Sequence, residues 1–133
     1  MIGTLPELIT ALGGAPDAPL SVKGPGVDLA PGFHLTEART LKVSAVDCGG
    51  ERTARTEVEL ELMAGSGRPL TPARLASILR LANAPDDAPL FVQVAGPTGA
   101  LSRHRAALGG TILRLAPIGP TCPAAARLSC CAA

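Results

Sequence analysis

The sequence predicts an α+β fold in which two α-β-β-β halves share one core. Residues 4–22 and residues 71–92 repeat the same order: an N-cap threonine, an apolar helix, a proline-rich breaker and a short strand. After each copy, apolar and polar side chains alternate with the period of two that is typical of strands with one solvated face. Turn residues, glycine above all, separate the alternating segments. An internal duplication with a pseudo-twofold axis would place the two halves around a common core.

The length of the chain supports a single domain. At 133 residues it has the usual size of one domain and can bury enough surface to fold without disulfides or metal. We expect this domain over residues 1–120, with halves of about 1–66 and 67–120. The remaining segment, 121–133, has no core pattern and is predicted to be a cysteine-containing tail.

Each half begins with a predicted helix. Thr4 and Thr71 are suitable N-caps, and proline follows each at or just after the first helical position. Glu7 completes a capping box in the first copy only, because Arg74 stands at the equivalent position of the second. Apolar residues spaced three and four apart place one apolar face on each helix. These residues are Leu5, Leu8, Ile9 and Leu12 in the first helix and Leu75, Ile78, Leu79, Leu81 and Ala82 in the second.

A short apolar strand follows each helix, and a hairpin follows each strand. In the first half the hairpin strands are 33–47 and 52–63, and the glutamates of the second strand are expected on a solvated face. The apolar sets of the two strands have opposite parity, which predicts Asp47 opposite Arg52 and Cys48 at the tip of the loop. In the second half, 100–108 and 111–117 form a shorter hairpin across two glycines.

Composition excludes several classes of function. The formal net charge of +1 and the 2% aromatic content argue against a nucleic-acid binder. The Arg103–Arg105 cluster, with His104 at its centre, is interpreted as a solvated strand edge. No apolar stretch approaches the roughly 18 residues needed to cross a membrane, and the N-terminus lacks the pattern of a secretory signal. We therefore expect a cytoplasmic protein whose cysteines are kept as thiols.

The cysteines are the main candidates for chemistry. Cys122, Cys130 and Cys131 form a C-x7-C-C tail. Thiolates favour soft or borderline ions, and three of them suit a trigonal thiophilic centre better than tetrahedral zinc, which needs a fourth ligand. No C-x2-C pair is present, so a zinc-finger interpretation has little support. The alternative is a tail whose thiols have no role.

His34 and Cys48 are further candidates. His34 stands at the start of the long strand, about fourteen residues from Cys48, which corresponds to roughly 45 Å along a straight strand. This separation argues against a Cys-His nucleophile pair, and a hydrogen-bonded histidine at a strand end is the alternative interpretation of His34. Loops that cradle phosphate and paired carboxylates for acid–base chemistry are also lacking. We therefore expect a protein that is not an enzyme.

Four segments are notable when taken together: F-H-L-T-E at 33–37, D-C-G-G at 47–50, the helix opening at 70–75, and Thr121-Cys122 with later cysteines. Together they resemble a family of small cytosolic bacterial proteins of unknown function, often encoded beside arsenic-resistance genes. The resemblance implies an accessory role in metalloid handling. The positions that it marks are His34, Glu37, Asp47, Cys48 and Cys122. The tail departs from the shorter cysteine spacing of the family, because it ends in Cys130-Cys131.

These observations lead to a first hypothesis, a thiol-based binding protein for a metalloid or soft metal ion, with arsenite favoured and zinc the other candidate. Its ligands would be Cys122, Cys130 and Cys131, with Cys48 or His34 completing the site if the tail folds back onto the hairpin. The alternative is a protein–protein interaction module of a stress-response operon without a metal role. A thiol redox enzyme that cycles Cys122 and Cys130 is a third hypothesis. A homodimer through an exposed long strand, such as 52–63, is also expected.

Overall fold

The computed structural model describes residues 1–127 and has a seven-stranded mixed sheet with three short helices, which confirms the mixed α and β class. None of the helices in the described residues is long and apolar enough to span a lipid bilayer. In chain order the elements are α1 (Leu5–Gly13), β1 (Ser21–Gly24), β2 (Val27–Leu29), β3 (His34–Val46), β4 (Arg52–Met63), α2 (Pro72–Leu79), β5 (Leu90–Ala95), β6 (Leu101–Gly109), β7 (Ile112–Pro117) and α3 (Pro123–Ala126).

Both longer helices begin at the predicted threonines. The hydroxyl of Thr4 accepts a hydrogen bond from the backbone N–H of Glu7 at 3.4 Å, and that of Thr71 accepts from Arg74 at 3.3 Å. The carboxylate of Glu7 accepts from the N–H of Gly3 at 2.7 Å, one residue before the N-cap. The first helix therefore has a capping arrangement like the predicted box. The carboxylate of Glu7, however, accepts from the N–H of Gly3 and not from the N–H of the N-cap residue, Thr4.

The strand order is β2-β1-β7-β6-β5-β4-β3. The pairs β1–β7 and β4–β5 are parallel, so the first strand of each half lies beside the last strand of the other. Equivalent hydrogen bonds also cross between the halves: Leu20 N–H donates to Leu70 O at 2.8 Å, and Leu90 N–H donates to Gly3 O at 2.9 Å. Strand β2 was not predicted, because three residues are too few to show alternation.

One face of the sheet and the two longer helices bury a single core. The side chains of this core belong to one hydrophobic cluster. Its fully buried members include Leu8 and Leu12 of α1, Leu75 and Leu79 of α2, and Val22, Leu60, Val92 and Leu113 of the sheet. The two longer helices thus lie on the same face, and the opposite face is called here the outer face.

The predicted register of the first hairpin is wrong by one residue. Val46 lies opposite Arg52 and Leu41 lies opposite Glu57, and a bulge between Leu35 and Glu37 shifts the pairing near the start of β3. The reason is a three-residue loop, in which Asp47 N–H donates to Glu51 O at 3.0 Å. The alternating apolar residues in the part of β3 nearest the hairpin loop consequently lie on the outer face, together with the glutamates of β4. These apolar residues are only half-buried.

The predicted solvated face of β4 is also wrong. Glu57 and Glu59 are only 5% and 7% exposed, because arginines of β3, of β6 and of β4 itself cover them. Arg39 donates to Glu59, and Arg103 and Arg55 donate to Glu57 at 2.7 and 2.8 Å. Buried carboxylates are tolerated only when charged partners replace water in this way.

The Arg103–Arg105 segment is not a strand edge. It lies in β6, which is paired on both sides, by β5 and by β7. His104, interpreted as a surface residue, is 1% exposed and its Nδ1 lies 3.3 Å from Val92 O. The two arginines point to the outer face, where their guanidinium carbons lie 3.7 and 4.6 Å from the centre of the Phe91 ring. Because successive side chains of a strand point to opposite faces, His104, which lies between the two arginines in the sequence, points to the core.

The edges of the sheet differ from the expected ones. Strand β4 (Arg52–Met63), considered above as a dimer edge, is paired by β3 and β5. The edge strands are β2, which is short, and β3, which has thirteen residues. Dimerisation stays a prediction.

Candidate thiol site

Cys48 lies at the exposed tip of the β3–β4 hairpin, as predicted. The loop is closed by the carboxylate of Asp47, whose Oδ1 accepts from the N–H groups of Gly49 at 2.9 Å and Glu51 at 3.2 Å. Gly50 has φ +80°, a left-handed conformation that costs little only without a Cβ. The D-C-G-G motif therefore builds a fixed turn that presents the Cys48 thiol to solvent.

Cys122 lies at the start of the last described helix. It precedes Pro123 as the N-cap of α3, with an extended backbone, and its carbonyl accepts from Ala125 N–H at 3.1 Å. Ala124 is fully buried, so this segment has an anchor in the protein although the sequence showed no core pattern there. Of the predicted tail, the structure thus places residues 121–127, which are called here the tail segment.

The structure brings Cys48 and Cys122 together, although they are 74 positions apart in the sequence. Their Sγ atoms are 3.5 Å apart, and both residues are exposed. A disulfide bond would require about 2.05 Å, so the pair is present as two adjacent thiols. Two thiols in contact at the surface can share a soft ion or be oxidised to a disulfide.

Arg127 joins the tail segment to the hairpin loop. Its guanidinium pairs with the carboxylate of Asp47 and, through Nε at 2.6 Å, with that of Glu51. Its Nη1 also donates to Pro123 O at 3.3 Å. The hydrogen bond from Arg127 lowers the pKa of Asp47, and the same bond raises the pKa of Arg127, with smaller contributions from the charges of Asp47 and Glu51. The thiol pair is therefore flanked by an ion-pair network.

His34 is not brought to the cysteines. His34 begins β3, whereas Cys48 lies two residues beyond the last residue of that strand, so the two lie at opposite ends. The His34 ring instead packs over a glycine turn, where a Cβ on Gly65 would overlap it and one on Gly67 would lie 2.9 Å from it. Glu37, also marked by the resemblance, pairs with Arg39 at 2.5 Å on the outer face.

Cys130 and Cys131 lie outside the described residues. Within residues 1–127, no three side chains of His, Cys, Asp or Glu are placed to hold one metal ion. The described part of the site is therefore a pair of thiols, and the predicted three-thiol tail centre stays a prediction.

Arg127 is the residue of this site that sequence reasoning missed. An isolated arginine in an alanine-rich tail has no patterned partner in the sequence, and its carboxylates are 76 and 80 positions away. Only the placement of the tail on the loop reveals the pairing. Asp47, in contrast, was marked by the resemblance.

A separate cavity of about 610 Å³ opens where β1, β4 and β5 end. Its walls are mostly small or apolar and include Val27, Leu29 and Val94. Its one carboxylate, that of Asp28, pairs with the amino group of Lys23. Neither described cysteine lines this cavity.

Comparison of the chain with protein-family models, with curated proteins and with solved structures found no match.

Proposed function

We propose that the protein binds trivalent arsenic, as arsenite, or a related thiophilic ion through Cys48 and Cys122. The observation that carries the proposal is the 3.5 Å separation of the two sulfur atoms at an exposed position. Sulfur ligands of this kind prefer soft and borderline ions over the hard ions that oxygen ligands bind.

The separation of the sulfurs suits a shared ion. Two thiolates on one tetrahedral zinc ion, each about 2.3 Å from the metal, would lie about 3.8 Å apart. The observed 3.5 Å is close to this spacing and far from a disulfide bond of about 2.05 Å. An ion of similar size could therefore be bound with only a small movement of the loop or of the tail segment.

Arsenite can use two thiols without further protein ligands. Neutral arsenous acid would exchange two of its three hydroxyl groups for sulfur: two As–S bonds form and two As–O bonds break. Each thiol proton leaves with a departing hydroxyl group as water, so two water molecules are released and no oxidation state changes. Zinc would instead displace two protons into the buffer and would need further ligands, and the described residues provide no group of three.

The cellular role that we propose is a cytosolic accessory function in metalloid resistance, as a sensor, buffer or chaperone. This role rests on the resemblance of the F-H-L-T-E and D-C-G-G segments, and the thiol pair is the chemistry that would serve it. Either Cys130 or Cys131, if it reaches the same ion, would replace the remaining hydroxyl group with sulfur and release a third water molecule.

The test is a calorimetric titration of the reduced protein with arsenite and, separately, with zinc, in two buffers of different ionisation enthalpy. We expect one equivalent of arsenite to bind with a dissociation constant of roughly micromolar or below, which corresponds to about −8 kcal/mol. Cys48→Ser and Cys122→Ser should each weaken arsenite binding at least tenfold. The heat of arsenite binding should not depend on the buffer, because no proton is exchanged.

Matched variants locate the ligands. His34→Ala should leave arsenite affinity unchanged, because His34 lies at the opposite end of β3. Cys130→Ser/Cys131→Ser measures the contribution of the two last thiols. A Cys48→Ser/Cys122→Ser protein that binds arsenite as tightly as the unmodified protein would overturn the proposed site. Absence of binding by the unmodified protein would favour the interaction-module alternative.

A further inference from the structure

The tail segment reaches the hairpin loop through charged groups as well as through sulfur. Arg127 pairs with Asp47 and with Glu51, the two residues that flank the three-residue loop that carries Cys48. The side chain of Asp47 is only 9% exposed, whereas that of Arg127 is 34% exposed. The guanidinium therefore lies across the base of the loop and covers the carboxylate that holds the turn together.

The contacts of Arg127 fix how the tail segment is oriented against the hairpin loop. A guanidinium is a planar fork that can engage several acceptors at once, which a lysine ammonium does with less directional control. Here the guanidinium of Arg127 pairs with the two carboxylates that flank the loop and donates to the carbonyl of Pro123, the first residue of α3. Because Pro123 directly follows Cys122, these bonds tie the position of the sulfur of Cys122 to the loop.

We infer that Arg127 is the positioning residue of the thiol site: its pairing with Asp47 and Glu51 holds Cys122 against Cys48. As it concerns ion binding, this inference rests on the proposed function. The closeness of the two thiols can, however, be measured without any ion. Two groups on a flexible tether have an effective concentration in the millimolar range, and fixing their geometry raises it.

The experiment measures the effective concentration of the two thiols from disulfide exchange with glutathione. One oxidised glutathione converts the two thiols into a disulfide and yields two reduced glutathiones. The equilibrium constant of this exchange gives the effective concentration of one thiol at the other. A Cys130→Ser/Cys131→Ser background confines exchange to Cys48 and Cys122. In this background Arg127→Gln should lower the effective concentration at least tenfold, and Asp47→Asn should lower it in the same direction. Asn keeps the side-chain oxygen that accepts from Gly49 and Glu51.

Two comparisons separate positioning from a general loss of structure. Arg80→Gln removes an exposed arginine at the end of α2 and should leave the effective concentration unchanged. Raising the salt concentration from about 0.05 M to about 1 M shortens the screening length from roughly 14 Å to roughly 3 Å. It should lower the effective concentration in the parent and have little effect on Arg127→Gln.

The outcomes distinguish this inference from the proposed function. A fall in effective concentration with a matching fall in arsenite affinity supports both. A fall in effective concentration in a protein that binds no arsenite supports the positioning role and contradicts the proposed function. An Arg127→Gln protein with the circular dichroism and the effective concentration of its parent would overturn the positioning role.

Discussion

At the scale of single residues, the carboxylates of Glu57 and Glu59 are buried charges whose partner on β6 is Arg103. Arg103 donates to Glu57 at 2.7 Å, and its Nε lies 3.3 Å from Oε2 of Glu59. That Nε is buried and makes no hydrogen bond within the described residues. The same guanidinium covers the ring of Phe91. Arg103 therefore neutralises two carboxylates and shields them from water.

Arg103→Gln should destabilise the protein by about 2–3 kcal/mol, because it removes one of the two arginines that pair with each of the buried carboxylates of Glu57 and Glu59. Urea unfolding at neutral pH measures the change. The matched control is Arg105→Gln, since Arg105 lies over the same ring but has no carboxylate partner in the part of the chain described. Its removal should cost less than about 1 kcal/mol. Equal losses for the two variants would show that ring stacking, not charge, is what Arg103 contributes.

Glu57 also makes stability depend on pH. Burial acts to raise its pKa, but hydrogen bonds from Arg103 and Arg55 outweigh burial, so the pKa lies below its ordinary value of 4.5. The unfolded chain then takes up a proton at a higher pH than the folded protein does. The stabilisation is complete above pH 4.5 and is lost as the pH falls below this value towards the folded-state pKa.

Glu57→Gln should therefore make the free energy of unfolding less dependent on pH below about 4.5. Urea titrations at several values between about pH 6 and about pH 3 measure this slope. Glu37→Gln, which removes a carboxylate that is 57% exposed on the same face, is the control. An unchanged slope in the Glu57 variant would contradict a lowered pKa in the folded state.

At the scale of elements, the close approach of β1 to β7 depends on a glycine. A Cβ on Gly24 would overlap the carbonyl oxygen of Leu115 and lie 3.2 Å from its Cβ. The obstacle is backbone, which cannot turn aside as a flexible side chain can. The glycine therefore permits the β1–β2 hairpin to sit against the rest of the sheet.

Gly24→Ala should destabilise the protein by about 2 kcal/mol or more, because the strands must move apart. Gly13→Ala is the matched control: Gly13 is the last residue of α1 and has open space around its Cβ position. Alanine there should stabilise the helix by about 0.5–1 kcal/mol. Thermal unfolding of both variants gives the comparison, and a Gly24 variant as stable as its parent would show that the strands tolerate the displacement.

Helices and hairpins were predictable because their determinants are local. The threonine caps, the proline after each cap and the alternation along β3, β4, β6 and β7 all act over a few residues. The register of β3 with β4 was not predictable, because it depends on the bulge near Thr36 and on a loop one residue shorter than expected. The burial of His104 and Glu57 depends in turn on which strands lie next to β6 and β4, which alternation within one strand does not indicate.

At the scale of the whole molecule, the two halves are joined through parallel strand pairs rather than through a simple side-by-side arrangement. The strand after each helix lies beside the last strand of the other half, and β6 is the middle strand of the sheet. The predicted shared core is present. Internal duplication, suggested by the repeated segments, stays a prediction.

The candidate site could be predicted only in part, because one of its contacts depends on the topology of the complete sheet. Cys48 at the hairpin tip follows from the local turn, and Cys122 was a candidate because it is a cysteine. Their contact depends on how the chain returns after β7 to a hairpin formed much earlier, and that return is a property of the complete sheet.

The distance between the two cysteines along the chain has a consequence for unfolding. An ion or a bond that joins Cys48 to Cys122 closes a loop that contains β4, α2 and β5 to β7, because the two positions are 74 apart. Loop-closure entropy in the unfolded chain would then add about 4.5 kcal/mol of stability at 25 °C. Ligand occupancy and resistance to heat or proteolysis would rise together, so that the lifetime of the folded chain would itself record whether the thiols are bridged.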